Sequence, residues 1–215
     1  MTPKPDLQAP TLAVRTEPVQ QRSTERITSL LDAAATLIDE HGIDGLTTSD
    51  VAIRSGSSVG VVYRYFPNIQ SLLRALAARN MEKFTLGINV AIDSADIEWL
   101  DALDATIDVY VHLMRTEKGF RALGFGDVID NRFLQTEITN NSVLAQAFGT
   151  LYSEHWGIKP TDLLAFDLEV IIEIADSLIK RAFVYDRYGD ERFVLKLREI
   201  VREYMAPHQA ASSAE

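Results

Sequence analysis

The chain has no cysteine among its 215 residues, so disulfides and thiolate metal sites are excluded, and a reducing compartment fits. No run of eighteen apolar residues occurs. With 47% hydrophobic content, this predicts a soluble globular chain of one or two domains without a membrane-spanning helix. The first residues, MTPKPDLQAPTLAVRTEP, carry prolines but no apolar segment of the signal-peptide kind. These absences predict a cytoplasmic protein with no membrane partner, in which Asn140-Asn141-Ser142 matches a glycosylation acceptor by chance. Sustained period-two alternation is also missing, so no segment predicts a strand and the expected class is all-α. Cations are scarce as well: 21 Lys and Arg stand against 31 Asp and Glu, a net charge of −10. That sign is wrong for a protein whose whole surface clings to DNA, because phosphate neutralisation supplies most non-specific affinity.

What is present is concentrated in Thr47–Phe66, TTSDVAIRSGSSVGVVYRYF, which places two short helices and a tight turn in twenty residues. Thr47 is a good N-cap, and Asp50 three positions later completes a capping-box pattern. Val51 and Ala52 are predicted to face inward. Gly56 follows Ser55 where the chain must turn steeply, and Ser58 is placed to cap the second helix. Val62 and Phe66, at i and i+4, anchor that helix, which leaves Val59, Tyr63 and Arg64 pointing elsewhere. This is the format of a DNA-reading helix-turn-helix.

The run from Arg26 through Phe84 resembles the N-terminal domain of the tetracycline-repressor (TetR) family. Ile27, Leu30, Leu31, Ala33, Ala34, Leu37 and Ile38 lie on a first helix ended by Gly42. Thr47, Val51-Ala52, Gly56, Ser58, Gly60, the Tyr63-Arg64-Tyr65-Phe66 block and Leu72-Leu73 follow in register. The resemblance implies a dimeric, ligand-responsive transcriptional repressor that binds a palindromic double-stranded DNA operator and is released by a small-molecule effector. The candidate DNA-contacting set is Thr47, Thr48, Arg54, Ser57, Ser58, Val59, Gly60, Val61, Tyr63, Arg64, Tyr65 and Asn68.

Two departures from the family pattern remove expected phosphate contacts: Val59 and Ile69 stand where cations are usual. Ser57 replaces a small apolar residue. Between Arg22 and Phe66 there are four Arg (22, 26, 54, 64) against six acids (25, 32, 39, 40, 44, 50), most of them on the first helix and the loop after it. Affinity is therefore expected from a small footprint of cations, backbone N–H groups and hydroxyls, doubled by dimerisation.

Residues 1–21 hold four of the seven prolines and are expected to be a disordered arm; 22–67 form the DNA-binding domain. Residues 68–206 form a helical effector-binding and dimerisation domain, and 207–215 a disordered tail. Within 68–206, Asn68 caps a long helix to about Val90, and Trp99 to near Gly119 is amphipathic. Gly124-Phe125-Gly126 breaks the chain before a helix through Val128, Ile129, Phe133 and Leu134. Further helices run from about Ser142 to Trp156, from Thr161 to about Val184, and over the C-terminal apolar face that starts at Phe193.

The wide apolar arc of the helix from Thr161 and the seam of the last one need cover from more than one side. In proteins resembling TetR these two helices form a four-helix bundle across the two-fold axis, which marks Ile171, Ile174, Ala175, Leu178, Phe193, Leu197, Ile200 and Tyr204 as the expected dimer interface. The resemblance also implies an effector pocket in this domain. Its expected lining is Trp99, Tyr110, His112, Met114, Phe120, Phe125, Phe133, Phe148, Tyr152 and Phe166. The same residues would equally compose a packed core.

Catalytic readings are weaker. Gly56-Ser57-Ser58-Val59-Gly60 matches the G-x-S-x-G nucleophile elbow, but that elbow needs a preceding strand and a surrounding sheet. His112 and His155 lack metal-ligand spacing, and Gly124-x-Gly126 lacks the third glycine of a dinucleotide fingerprint. No enzyme activity, metal or cofactor is expected. The alternative is an all-α small-molecule-binding protein or enzyme with a vestigial helix-turn-helix.

Overall fold

Eight helices and no strand make up the described residues of the computed structural model, which are 17–93, 97–123, 140–159 and 161–212. They are α1 (Glu17–His41), α2 (Thr48–Arg54), α3 (Val59–Tyr65), α4 (Ile69–Asp93), α5 (Trp99–Thr116), α6 (Asn140–Trp156), α7 (Asp162–Phe183) and α8 (Glu191–Ser212). None of these helices is long and apolar enough to cross a membrane.

Most starts are set by side-chain caps. The Ser71 N–H donates to Asn68 Oδ1 at 2.8 Å at the head of α4, and the Leu164 N–H donates to Thr161 Oγ1 at 3.1 Å before α7. Two cores result. Leu30, Ala34 and Ile38 of α1 close on Val51, Ala52, Val62 and Phe66, and on Leu72 and Leu76 at the start of α4. The same α4 carries Phe84, Ile88 and Ile92 into the larger core made with α5 to α8. One helix thus contributes to both cores.

A second bridge is the turn after α5. Phe120 is buried in the larger core with its ring edge-on to Tyr110 at 5.9 Å, whereas Leu123, three residues on, is buried in the smaller one. Between them and α5, Gly119 takes φ +72 against Ala35 of α1; a Cβ there would lie 3.1 Å from the Ala35 Cα. The contact is close because there is no side chain. Arg121 pairs with Asp39 at 3.0 Å, and Lys83 of α4 pairs with Glu117.

Several expected boundaries move. The arm predicted over 1–21 already belongs to α1 from Glu17; residues 1–16 lie outside the described part. Glu17 to Arg22 show no apolar period, yet a helix anchored at Leu30 propagates outward at the gain of one hydrogen bond per residue. The tail predicted from 207 is likewise helical to Ser212, through Pro207. Here Tyr204 and His208 both reach Asp167 of α7, at 2.9 and 2.7 Å, and Met205 is fully buried, which holds the last turns in place. Helix α4 continues past Val90 to Asp93, and α6 begins at Asn140 rather than Ser142. The break at Gly124–Gly126 and the helix through Val128–Leu134 fall outside the described residues.

Candidate nucleic-acid interface and ligand cavity

The helix-turn-helix is built as its residues dictate. The Asp50 N–H donates to Thr47 Oγ1 at 3.2 Å and the Thr47 N–H to Asp50 Oδ2 at 3.3 Å, a complete capping box. Gly56 takes φ +63 at the corner, a conformation side chains rarely adopt. The Ser57 N–H then returns to the Ala52 carbonyl at 2.9 Å. Ser58 caps α3 by accepting from the Val61 N–H at 3.3 Å. These roles account for Gly56 and Ser58 of the elbow-like sequence, with a capped helix preceding it.

Val62 and Phe66 are buried under α3, and the opposite side is open: Val59 is 38% exposed and Tyr63 51%. Gly60 and Arg64 are exposed too, and a Cβ on Gly60 would meet nothing closer than Ser58 Oγ at 4.0 Å. Thr48 donates to the Tyr63 hydroxyl at 3.2 Å, which fixes that ring against α2. Arg64 lies over the Tyr65 ring with its guanidinium carbon 5.1 Å from the centroid. A hydrogen bond from Ser23, and the nearby charges of Arg64 and Arg26, hold the Tyr65 phenol below its ordinary pKa. Arg26 also donates to Ser57 Oγ at 3.3 Å. The start of α1 therefore lies beside the turn, a neighbour invisible in the local motif.

The acids are turned to other work. Asp32 pairs with Arg79 at 2.6 Å, Asp39 with Arg121, and Glu40 with Arg54, while Asp50 serves the capping box. The Arg54 fork grips both Glu40 oxygens, and this hydrogen bonding holds the Glu40 carboxyl below its usual range. Of the predicted DNA-contacting cations, Arg54 is thus engaged within the protein. Thr47 and Asn68 spend their side chains as caps on α2 and α4.

In the second domain a cavity of about 50 Å³ sits between α4, α5, α6, α7 and, through Val201, α8. Tyr110, Phe148 and Tyr152 border it; the Phe148 and Tyr152 rings stack at 6.0 Å. Trp99, Met114 and Phe120 are buried in the surrounding core without bordering it. Two expected lining residues face away: His112 is exposed on α5, and Phe166 is 61% exposed on α7. Both fall on the outer side of amphipathic helices whose inner side faces the cavity. Phe125 and Phe133 lie outside the described residues. Polar groups on the wall are Thr106, Asp176 and two phenols, and the Tyr152 hydroxyl has no partner, a cost of about 1–3 kcal/mol for a buried donor.

The expected dimer residues divide. Ile171 and Leu197 are buried within their own subunit, and Ala175 is half-buried and borders the cavity. Ile174, Leu178, Phe193 and Ile200 are half-buried and Tyr204 is exposed. Helical spacing puts Leu163 (64% exposed), Phe166, Val170 and Ile174 on one outward stripe of α7 that sequence reasoning did not single out as such.

Two family models match: "Bacterial regulatory proteins, tetR family" over residues 30–76 and "Tetracyclin repressor-like, C-terminal domain" over 97–209. A comparison with curated proteins gives no match. Among solved structures, a TetR-family transcriptional regulator from Streptomyces coelicolor is 34% identical, with 85% of this chain and 98% of that chain covered and a TM-score of 0.73. The TetR family repressor AlkX from a Dietzia strain is 23% identical, with 84% and 95% covered and a TM-score of 0.56. The TetR-like regulator LfrR from Mycobacterium smegmatis, solved with proflavine, is 17% identical, with 85% and 97% covered and a TM-score of 0.58. A capped reader helix on an all-α frame, joined by one long helix to a second core, accords with these matches, and the chain belongs to the TetR family of transcriptional regulators.

Proposed function

We propose that the protein is a homodimeric, ligand-responsive repressor that binds a palindromic operator and leaves it when a small molecule occupies the second domain. The observation that carries this reading is α3: anchored from below by Val62 and Phe66, it exposes Val59, Gly60, Tyr63 and Arg64 on one side. In that role α3 enters a major groove. Arg64 and Tyr63 hydrogen-bond bases or phosphate, and Val59 and Val61 contact thymine methyls. The α7 stripe with the half-buried side of α8 forms the seam, and two-fold symmetry sets the readers one helical turn apart, about 34 Å.

Release follows from α4. Expansion around Phe84 displaces the helix that also carries Leu72 and Leu76, so the paired readers lose groove spacing. A protein of the same fold, LfrR, was solved in complex with proflavine, which supports a small-molecule ligand for this chain. The test is selection of duplexes from random DNA by the purified protein. A palindromic consensus with half-sites one turn apart, bound by two subunits, is the expected outcome; a protein that enriches no sequence has no operator and the reading falls.

A further inference from the structure

The chemistry of the cavity wall selects the kind of molecule that fits, given the effector-site reading above, on which this inference rests. Tyr152 is wholly buried on α6 and borders the cavity, and its hydroxyl has no hydrogen-bond partner. Thr106 lies close enough to oppose part of the strong upward push that burial gives the phenol pKa, without reaching hydrogen-bonding geometry. Its own proton goes to the Ala102 carbonyl at 2.9 Å. The Tyr152 O–H is therefore a neutral donor with no acceptor in hydrogen-bonding geometry.

The other polar wall is saturated. Tyr110 donates to Asp176 Oδ1 at 2.7 Å, and Lys180 holds Oδ2 at 2.9 Å, so that carboxylate is already neutralised. Among the described residues no Lys, Arg or His borders the cavity, which leaves an anionic ligand without a counter-charge from them. A cationic one finds only a carboxylate that is already paired. The remaining wall is aromatic and aliphatic, with Phe84, Phe148 and Leu168 on three different helices.

We propose that this cavity takes an uncharged, mainly apolar small molecule that presents one acceptor oxygen to the Tyr152 hydroxyl. At about 50 Å³ the cavity holds no more than a few waters, so such a molecule enters by pushing the walls apart. The orphan hydroxyl is the group that tells an acceptor-bearing ligand from a hydrocarbon of the same shape.

The test uses four probes of one size: acetophenone, ethylbenzene, benzoate and benzylammonium. Binding is read by calorimetry and by the fluorescence of Trp99, whose ring sits edge-on to Tyr152 at 6.0 Å. Acetophenone should bind, Tyr152→Phe should weaken it roughly tenfold, and ethylbenzene should bind both proteins alike. Neither ion should bind. Tyr152→Phe removes only an unpaired hydroxyl, so its melting temperature should not fall. The proposal is overturned if Tyr152→Phe leaves acetophenone affinity unchanged, or if either ion binds as tightly as the ketone. It is equally overturned if no probe binds the wild type or a cavity-enlarged Leu144→Ala variant. Operator binding by a duplex the protein itself has selected separates the two ideas. Tyr152-dependent ketone binding without DNA release sinks the effector reading alone, whereas DNA release by the ions, independent of Tyr152, sinks the ligand chemistry alone.

Discussion

Arg64 is the one cation on α3, exposed, and steadied over the Tyr65 ring, whereas Arg54 is tied to Glu40. Arg64→Ala should cost about 1–3 kcal/mol in operator binding without altering the melting temperature. Arg54→Ala should cost clearly less, because its guanidinium is spent inside the protein. Fluorescence anisotropy on a selected duplex checks both; equal losses would mean that Arg54 trades Glu40 for phosphate on binding. Thr48 works at the same scale, since its bond to the Tyr63 hydroxyl positions a ring that half projects into solvent.

Two connections decide how elements communicate. Helix α4 spans both cores, and the turn after α5 reaches back to α1 through Gly119. Gly119→Ala must hold φ +72 with a methyl 3.1 Å from the Ala35 backbone, so it should destabilise by at least about 1 kcal/mol in urea denaturation. A neutral substitution would show that α1 and this turn separate readily. The last helix is pinned more firmly than an amphipathic pattern implies. Arg198 reaches the Asp104 carbonyl at 3.2 Å, and Arg202 pairs with Asp101 and Asp104, so charged residues of α8 bind it to α5.

For the whole molecule, the α7 stripe tests the proposed dimer. Leu163 and Phe166 lie on its outward side, 64% and 61% exposed, so glutamates there remain solvated on a lone subunit but are buried unpaired in a seam. Leu163→Glu with Phe166→Glu should give folded monomers in sedimentation, with operator binding lost though α3 is untouched. A variant that still dimerises and binds places the interface elsewhere. Net charge sets a second expectation. With Val59 and Ile69 in place of cations and Arg54 engaged, few phosphates are neutralised, and log K against log[salt] should fall with a slope of roughly −3 to −6 for the dimer. A slope near −10 would point to extensive phosphate contacts from residues 1–21, where Lys4 and Arg15 stand.

Local chemistry was legible in the chain itself. Caps, corner glycine and the i, i+4 anchors of α3 depend on neighbours within a turn or two, so Thr47, Gly56, Ser58, Val62 and Phe66 sit as their order predicts. Helix existence followed for the same reason, because apolar periodicity is a property of the segment. Which apolar side met which neighbour was not local. Periodicity marks Phe166 and Ile171 alike as hydrophobic, yet packing sends Phe166 to solvent and Ile171 to the cavity wall. Charge was misleading in sum because Asp32, Asp39 and Glu40 are matched by Arg79, Arg121 and Arg54, which lie fourteen or more positions away in sequence. The orphan hydroxyl of Tyr152 exists only because separate helices pack around it, and no spacing rule records a missing partner.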